Sequence, residues 1–129
     1  MSYLAILLAG VGGFAVGAVW YMSLSKQWMA AVGRTEEEIK ADQNPLPFII
    51  AFLAALSAAT VMQHMFAAGG ATGVMRCLGY GAGIGAFVVM PWVILHYAFA
   101  GRPKSLWWID GGHTVAAFAV MGLVLGLFA

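Results

Sequence analysis

Apolar residues dominate four stretches of this chain, at about 3–21, 46–66, 73–99 and 105–128. Each offers the roughly 20 consecutive residues that a helix needs to cross a hydrocarbon layer about 30 Å thick. Polar residues collect instead in the connection 23–44 and in the turns 67–72 and 100–104. The pattern predicts an all-α integral membrane bundle of four transmembrane helices, forming a single domain over residues 1–129. Within the longest connection, Thr35 and Glu38 form a capping box, in which the hydroxyl satisfies a free N–H and the carboxylate reaches back. A short helix over about 36–42 follows from it. Before that helix, Trp28, Met29, Ala30 and Ala31 suit an interfacial turn that Gly33 ends. Asn44 and Pro45 mark the start of the second crossing, Asn as cap and Pro at the first helical position.

Composition agrees with this reading. Hydrophobic residues make up 63% of the chain and charged residues 9%, against about 25% charged in a soluble domain. One cysteine, Cys77, excludes an internal disulfide and a multi-cysteine metal site. A net charge of +1 carries no sign of nucleic-acid binding. The first apolar stretch lacks the positive n-region and short core of a signal peptide. No Lys or Arg precedes Lys26, so an uncleaved helix is expected.

Charge also orients the helices. Four crossings place both termini and the 67–72 turn on one side. The opposite side receives Lys26, Arg34, Lys40, Arg102 and Lys104, which leaves Arg76 alone of the 6 basic residues. Lys and Arg accumulate on the cytoplasmic side, so the helical connection is expected there and both termini outside the cytoplasm. Trp20, Tyr21, Trp28, Tyr97, Trp107 and Trp108 fall near the same boundary, where an amphipathic ring is best solvated. Trp92 lies deeper and is expected to pack between helices.

Small residues mark where helices approach in lipid, because close backbone contact replaces the hydrophobic effect there. Gly10, Gly13 and Gly17 form a stripe on the first helix, and Gly122 and Gly126 a GxxxG frame on the fourth. The third carries two frames, Gly79/Gly83 and Gly81/Gly85. Two residues turn a helix by about 200°, so these frames lie on nearly opposite faces. That predicts a third helix pressed on both sides, either central to the bundle or shared with a second copy. The competing reading, a phosphate-binding loop, needs a preceding strand that is missing here. Pro91 further along removes the bond to the Phe87 carbonyl and predicts a bend.

Ionisable groups inside a membrane are costly and mark functional candidates. His96, near the basic end of the third helix, and Asp110, about five residues into the fourth, reach a similar depth. His113 follows Asp110 by three residues on one face, and Tyr21 and Tyr97 lie nearby. This inner cluster suits either a static polar joint, with Asp110 tied to Arg102 or Lys104, or a proton- or ion-linked site. A second polar group, Gln63, His64 and Arg76, sits toward the opposite face, extending a Ser57, Thr60, His64 stripe. Its two readings are interhelical hydrogen bonding and an outward-facing anion or substrate site. The histidines lie at different depths, which disfavours bis-histidine haem. A zinc set would have to be drawn from His96, Asp110 and His113. Neither Ser57 nor Cys77 has a neighbouring base that would make it a nucleophile. No cofactor, metal or catalytic residue is therefore expected.

Two patches carry a family resemblance. Gly17-Ala18-Val19-Trp20-Tyr21-Met22-Ser23, followed by Trp28-Met29, resembles the end of the first helix in an uncharacterised bacterial membrane family, domain of unknown function 1761. Trp108-Ile109-Asp110-Gly111-Gly112-His113, with Val120-Met121-Gly122 beyond, resembles that family's last helix. The resemblance implies the four-crossing layout and a bacterial cytoplasmic membrane, and it assigns no activity. The expected function is non-enzymatic. The chain works through helix packing, as a homo-oligomer or as an accessory subunit beside another membrane protein in the lipid bilayer. The alternative is a small transporter or channel.

Overall fold

A computed structural model describes residues 2–129. Every element among them is helical: α1 (Tyr3–Ser23), α2 (Ser25–Val32), α3 (Glu36–Ala41), α4 (Leu46–Ala68), α5 (Val74–Ile84), a π-helical turn (Gly85–Val89), α6 (Met90–Ala100) and α7 (Lys104–Leu127). Four rods emerge, of 21, 23, 27 and 24 residues, the third combining α5, the π-turn and α6. At a rise of about 1.5 Å per residue each is long enough for a hydrocarbon core. Short helices α2 and α3 occupy the connection between the first two rods.

Local chemistry sets the breaks. The Ser2 hydroxyl caps α1 by accepting from the Ala5 N–H at 3.1 Å. Gly33 ends α2 at φ 75°, a left-handed conformation that a side chain would resist. The Thr35 hydroxyl accepts from the Glu38 N–H at 3.1 Å and donates to the Glu38 carboxylate at the same distance. The expected box is thus closed by the hydroxyl itself. Asn44 Oδ1 accepts from the Leu46 N–H at 3.1 Å, so α4 opens at Leu46 with Pro45 just outside it. Arg34 pairs with Asp42 at 3.2 Å and Lys40 with Glu36 at 3.1 Å, both exposed. Such pairs add little stability, about 0–1 kcal/mol each.

The centre of the molecule is α7, which packs against α1 on one side and against α5, the π-turn and α6 on the other, while α4 packs chiefly on α1. In the most apolar window of α7, 39% of residues are buried, against 11% in the α5–α6 rod. Of the two positions expected for the third crossing, the central one is overturned: the rod lies at the edge. The reason is the distribution of small residues on α7. Gly112 makes room for Trp20 of α1, Gly111 for Met90 of α6, and Gly122 and Gly126 for α5. The continuous buried core sits at the end near the α4–α5 turn, where Met62, Phe66, Cys77, Met121 and Leu125 meet. Toward the basic end α4 diverges. Phe48, Ile50 and Leu53 are exposed there, with the Phe14–Phe52 edge contact (ring centroids 6.0 Å apart) helping to hold α4 against α1.

Both glycine frames of the third rod are now placed. A Cβ at Gly81 would run into the Phe118 carbonyl oxygen, and one at Gly85 would lie 2.7 Å from the Thr114 carbonyl oxygen. At Gly79 and Gly83 a Cβ would meet nothing within 4 Å. Only one face of this rod is pressed within the chain.

Pro91 produces the π-turn in place of a simple bend. Its ring would collide with the Phe87 carbonyl of a regular helix, and it has no N–H to bond there. Widening the preceding turn relieves the collision, and the Met90 N–H reaches back five residues to the Gly85 carbonyl. The rod continues as α6, in which no residue is buried. Trp92 is 60% exposed and so does not pack between helices as expected.

Candidate functional site

The polar joint of the molecule is built on Asp110, the seventh residue of α7 and about 9 Å along its axis from Lys104. The Tyr21 hydroxyl of α1 donates to Asp110 Oδ1 at 2.5 Å. The Tyr97 hydroxyl of α6 donates to Oδ2, also at 2.5 Å. Each phenol donates to a different oxygen of the one carboxyl group. One carboxylate therefore ties three helices together. The expected partners Arg102 and Lys104 are exposed in the α6–α7 turn and at the start of α7. Among the described residues neither forms a salt bridge.

The neighbouring residues hold this arrangement in place. Trp20 Nε1 donates to the Ile109 carbonyl at 2.8 Å, fixing α1 against α7 one residue from the carboxylate. The Tyr21 ring lies between Trp28 of α2, at 6.4 Å and nearly perpendicular, and His113, at 5.1 Å. His113 fits because Gly17 stands opposite: a Cβ there would be 3.0 Å from His113 Nε2. Gly112 is required for the Trp20 ring, which a Cβ would approach to 2.9 Å. The Thr114 hydroxyl donates to the Gly111 carbonyl of α7 at 2.6 Å and makes a longer contact, 3.4 Å, with the Gly85 carbonyl of the π-turn.

Of the five inner residues singled out in the sequence, four converge: Tyr21, Tyr97, Asp110 and His113. His96 does not. It is exposed, and its Nδ1 is bonded to the Trp92 carbonyl of its own helix at 2.7 Å. The π-turn inserts one residue, which rotates α6 by about 100° relative to a straight helix. Tyr97 consequently stands where His96 would face. Trp20 had signalled only a membrane boundary, and its role as an interhelical donor depends on α1 lying against Ile109. Trp107, another boundary aromatic, buries its Nε1 with no protein partner. Gly111 and Gly112 were visible only within the family-like patch.

The outer group does not assemble. His64 Nδ1 is bonded to the Thr60 carbonyl at 2.8 Å within α4. His64 and Arg76 are exposed and Gln63 is half-buried. Among the described residues no hydrogen bond links the three. The Thr60 hydroxyl donates to Leu56, again within α4.

An ionised carboxylate has about four acceptor positions, two of which the phenols occupy here. The arrangement places one carboxyl group within the span of α7 and leaves acceptor capacity on each oxygen. Among the described residues, no three His, Cys, Asp or Glu side chains are grouped as metal ligands.

A family model described as "Protein of unknown function (DUF1761)" matches residues 4–126. No curated protein and no solved structure matches the chain.

Proposed function

The chain belongs to the DUF1761 family, and on that premise we propose that this small multi-span membrane protein is non-enzymatic and acts through helix packing. It works as a homo-oligomer or as an accessory subunit of a membrane complex, in a bacterial cytoplasmic membrane with both termini outside. The observation that carries this reading is the open Gly79/Gly83 frame of α5. The other frame of the same rod, Gly81/Gly85, touches the α7 backbone, while a Cβ added at Gly79 or Gly83 would meet nothing within 4 Å. A smooth backbone strip facing lipid suits a further helix, since van der Waals approach drives helix association there.

The test separates the two frames. Gly79→Leu with Gly83→Leu is expected to leave the monomer folded and to reduce assembly size in mild detergent, read by light scattering coupled to size exclusion. An unchanged assembly in this variant would count against the proposal. Gly81 and Gly85, which the sequence offers equally as assembly positions, are unsuitable probes because they hold the chain's own α5 against α7.

A second reading rests on Asp110 itself. A carboxyl group between Tyr21 and Tyr97, with His113 against the Tyr21 ring, is a place where a proton or cation can be exchanged inside a membrane. In that case purified protein in liposomes carries a proton or monovalent-cation flux, and Asp110→Asn abolishes it. Absence of flux in the wild-type protein at either orientation of the gradient would remove this reading.

A further inference from the structure

The π-turn, Pro91 and the adjacent pair His96–Tyr97 carry an inference about how the Asp110 joint changes state. In α6, residue n occupies the place that residue n−1 would hold in an uninterrupted α-helix, because the wide turn at Gly85–Val89 absorbs one residue. Closing that turn would advance α6 by about 1.5 Å and rotate it by about 100°. Each side chain would then move into its successor's present position. His96 would take the place of Tyr97 and face Asp110.

The two ends of the rod differ in how they are held. α5 cannot follow the rotation, because Gly81 and Gly85 lie directly against the backbone of α7. α6 has no buried residue, and Tyr97–Asp110 is its only side-chain hydrogen bond to another element among the described residues. Apart from His96 and Tyr97, its side chains are apolar all round, so lipid solvates a rotated α6 about as well as the present one, and the packing given up is that of Met90 at Gly111. The turn to α7 is exposed and contains Gly101 at φ 70°. We propose that the third rod is a register switch with two states one residue apart, in which Asp110 is held by Tyr97 with the π-turn open or faces His96 with the π-turn closed. Pro91 biases the rod toward the open turn. Tyr21 remains on Asp110 in both states.

The test is the distance between spin labels at Phe99→Cys on α6 and Leu53→Cys on α4, measured in liposomes. Both positions are exposed, at 88% and 59%, whereas Cys77 is fully buried and stays unlabelled. A rotation of about 100° carries a surface label by about 10 Å. Tyr97→Phe is expected to transfer population to a second distance, Pro91→Ala to the same one, and His96→Phe with Tyr97→Phe to return it to the first. Wild-type distances in either single variant would overturn the switch. A shift that persists in the double variant would overturn the exchange of partners. Should Tyr97→Phe fail to insert, Pro91→Ala decides alone, since it leaves both candidate partners of Asp110 intact.

Discussion

Gly122→Leu is expected to eliminate the cooperative unfolding transition of this protein in mild detergent. The α5–α7 contact is one of backbone against backbone. A Cβ at Gly122 would overlap the Cys77 carbonyl oxygen and stand 3.1 Å from the Gly81 Cα, and the reciprocal Cβ at Gly81 would overlap the Phe118 carbonyl oxygen. Peptide groups inside two hydrogen-bonded helices cannot turn aside, so the helices must separate along the whole seam. Overpacking of a yielding core costs about 1–3 kcal/mol; this substitution belongs above that range because the obstruction does not yield. Gly10→Ala provides the contrast. Its Cβ would approach the Leu56 Cδ2 atom to 2.6 Å, the tip of a flexible side chain that can change rotamer, and a loss of about 1 kcal/mol or less is expected. Titration with a denaturing detergent, followed by circular dichroism, distinguishes the two. A Gly122→Leu variant that unfolds at the wild-type midpoint would contradict the close approach of α5 and α7.

The second large effect concerns Asp110 and has a less obvious sign. Removing both phenols, with Tyr21→Phe and Tyr97→Phe, leaves the carboxylate without its two donors in an apolar setting. Stripping the partners from a fully buried charge costs about 3–5 kcal/mol, more than replacing the whole group by apolar side chains of similar volume; Asp110 is half-buried, which places its loss below that range. Individual interhelical hydrogen bonds in membranes average only about 0.6 kcal/mol. The expected destabilisation is therefore about 1–3 kcal/mol, most of it from the stranded carboxyl group. Adding Asp110→Leu to the double variant should recover a large part of the loss. The predicted order of stability is wild type, then the triple variant, then the double. A double variant as stable as the wild type would show that the phenols do not hold the carboxylate.

Several features of this molecule are legible without coordinates because they depend on near neighbours in the chain. The four apolar rods, the Thr35 cap and the stop at Gly33 are of this kind. Asp110, Tyr21, Tyr97 and His113 could be grouped by counting depth along straight helices. The same counting misplaced His96, because it carried no allowance for the residue absorbed at Gly85–Val89. Pro91 signals an interruption in the rod, yet a kink and a wide turn both satisfy it, and they aim the following side chains about 100° apart. Trp92 departs from its expected burial for a related reason. In lipid an exposed indole costs little, so apolar character does not tell which way a helix faces.

The family match over residues 4–126 extends across the whole four-rod framework. The patch resembling the family's last helix contains both the carboxylate and the glycines that admit its neighbours. Gly112 makes space for Trp20, Gly17 for His113, and Trp20 bonds the carbonyl beside Asp110. Residues that are far apart in the chain thus form one joint between α1, α6 and α7.

Transfer from water to lipid is a property of each segment alone, and for that reason the amino-acid order by itself determined the number of rods, their lengths and where they stop. Which rod stands at the centre depends on a choice among faces that lipid solvates equally, and only the packed structure made it. Backbone contact at Gly81 and Gly122 placed α7 in the middle and left Gly79 and Gly83 open. The turn forced by Pro91 then gave Tyr97, rather than His96, to Asp110.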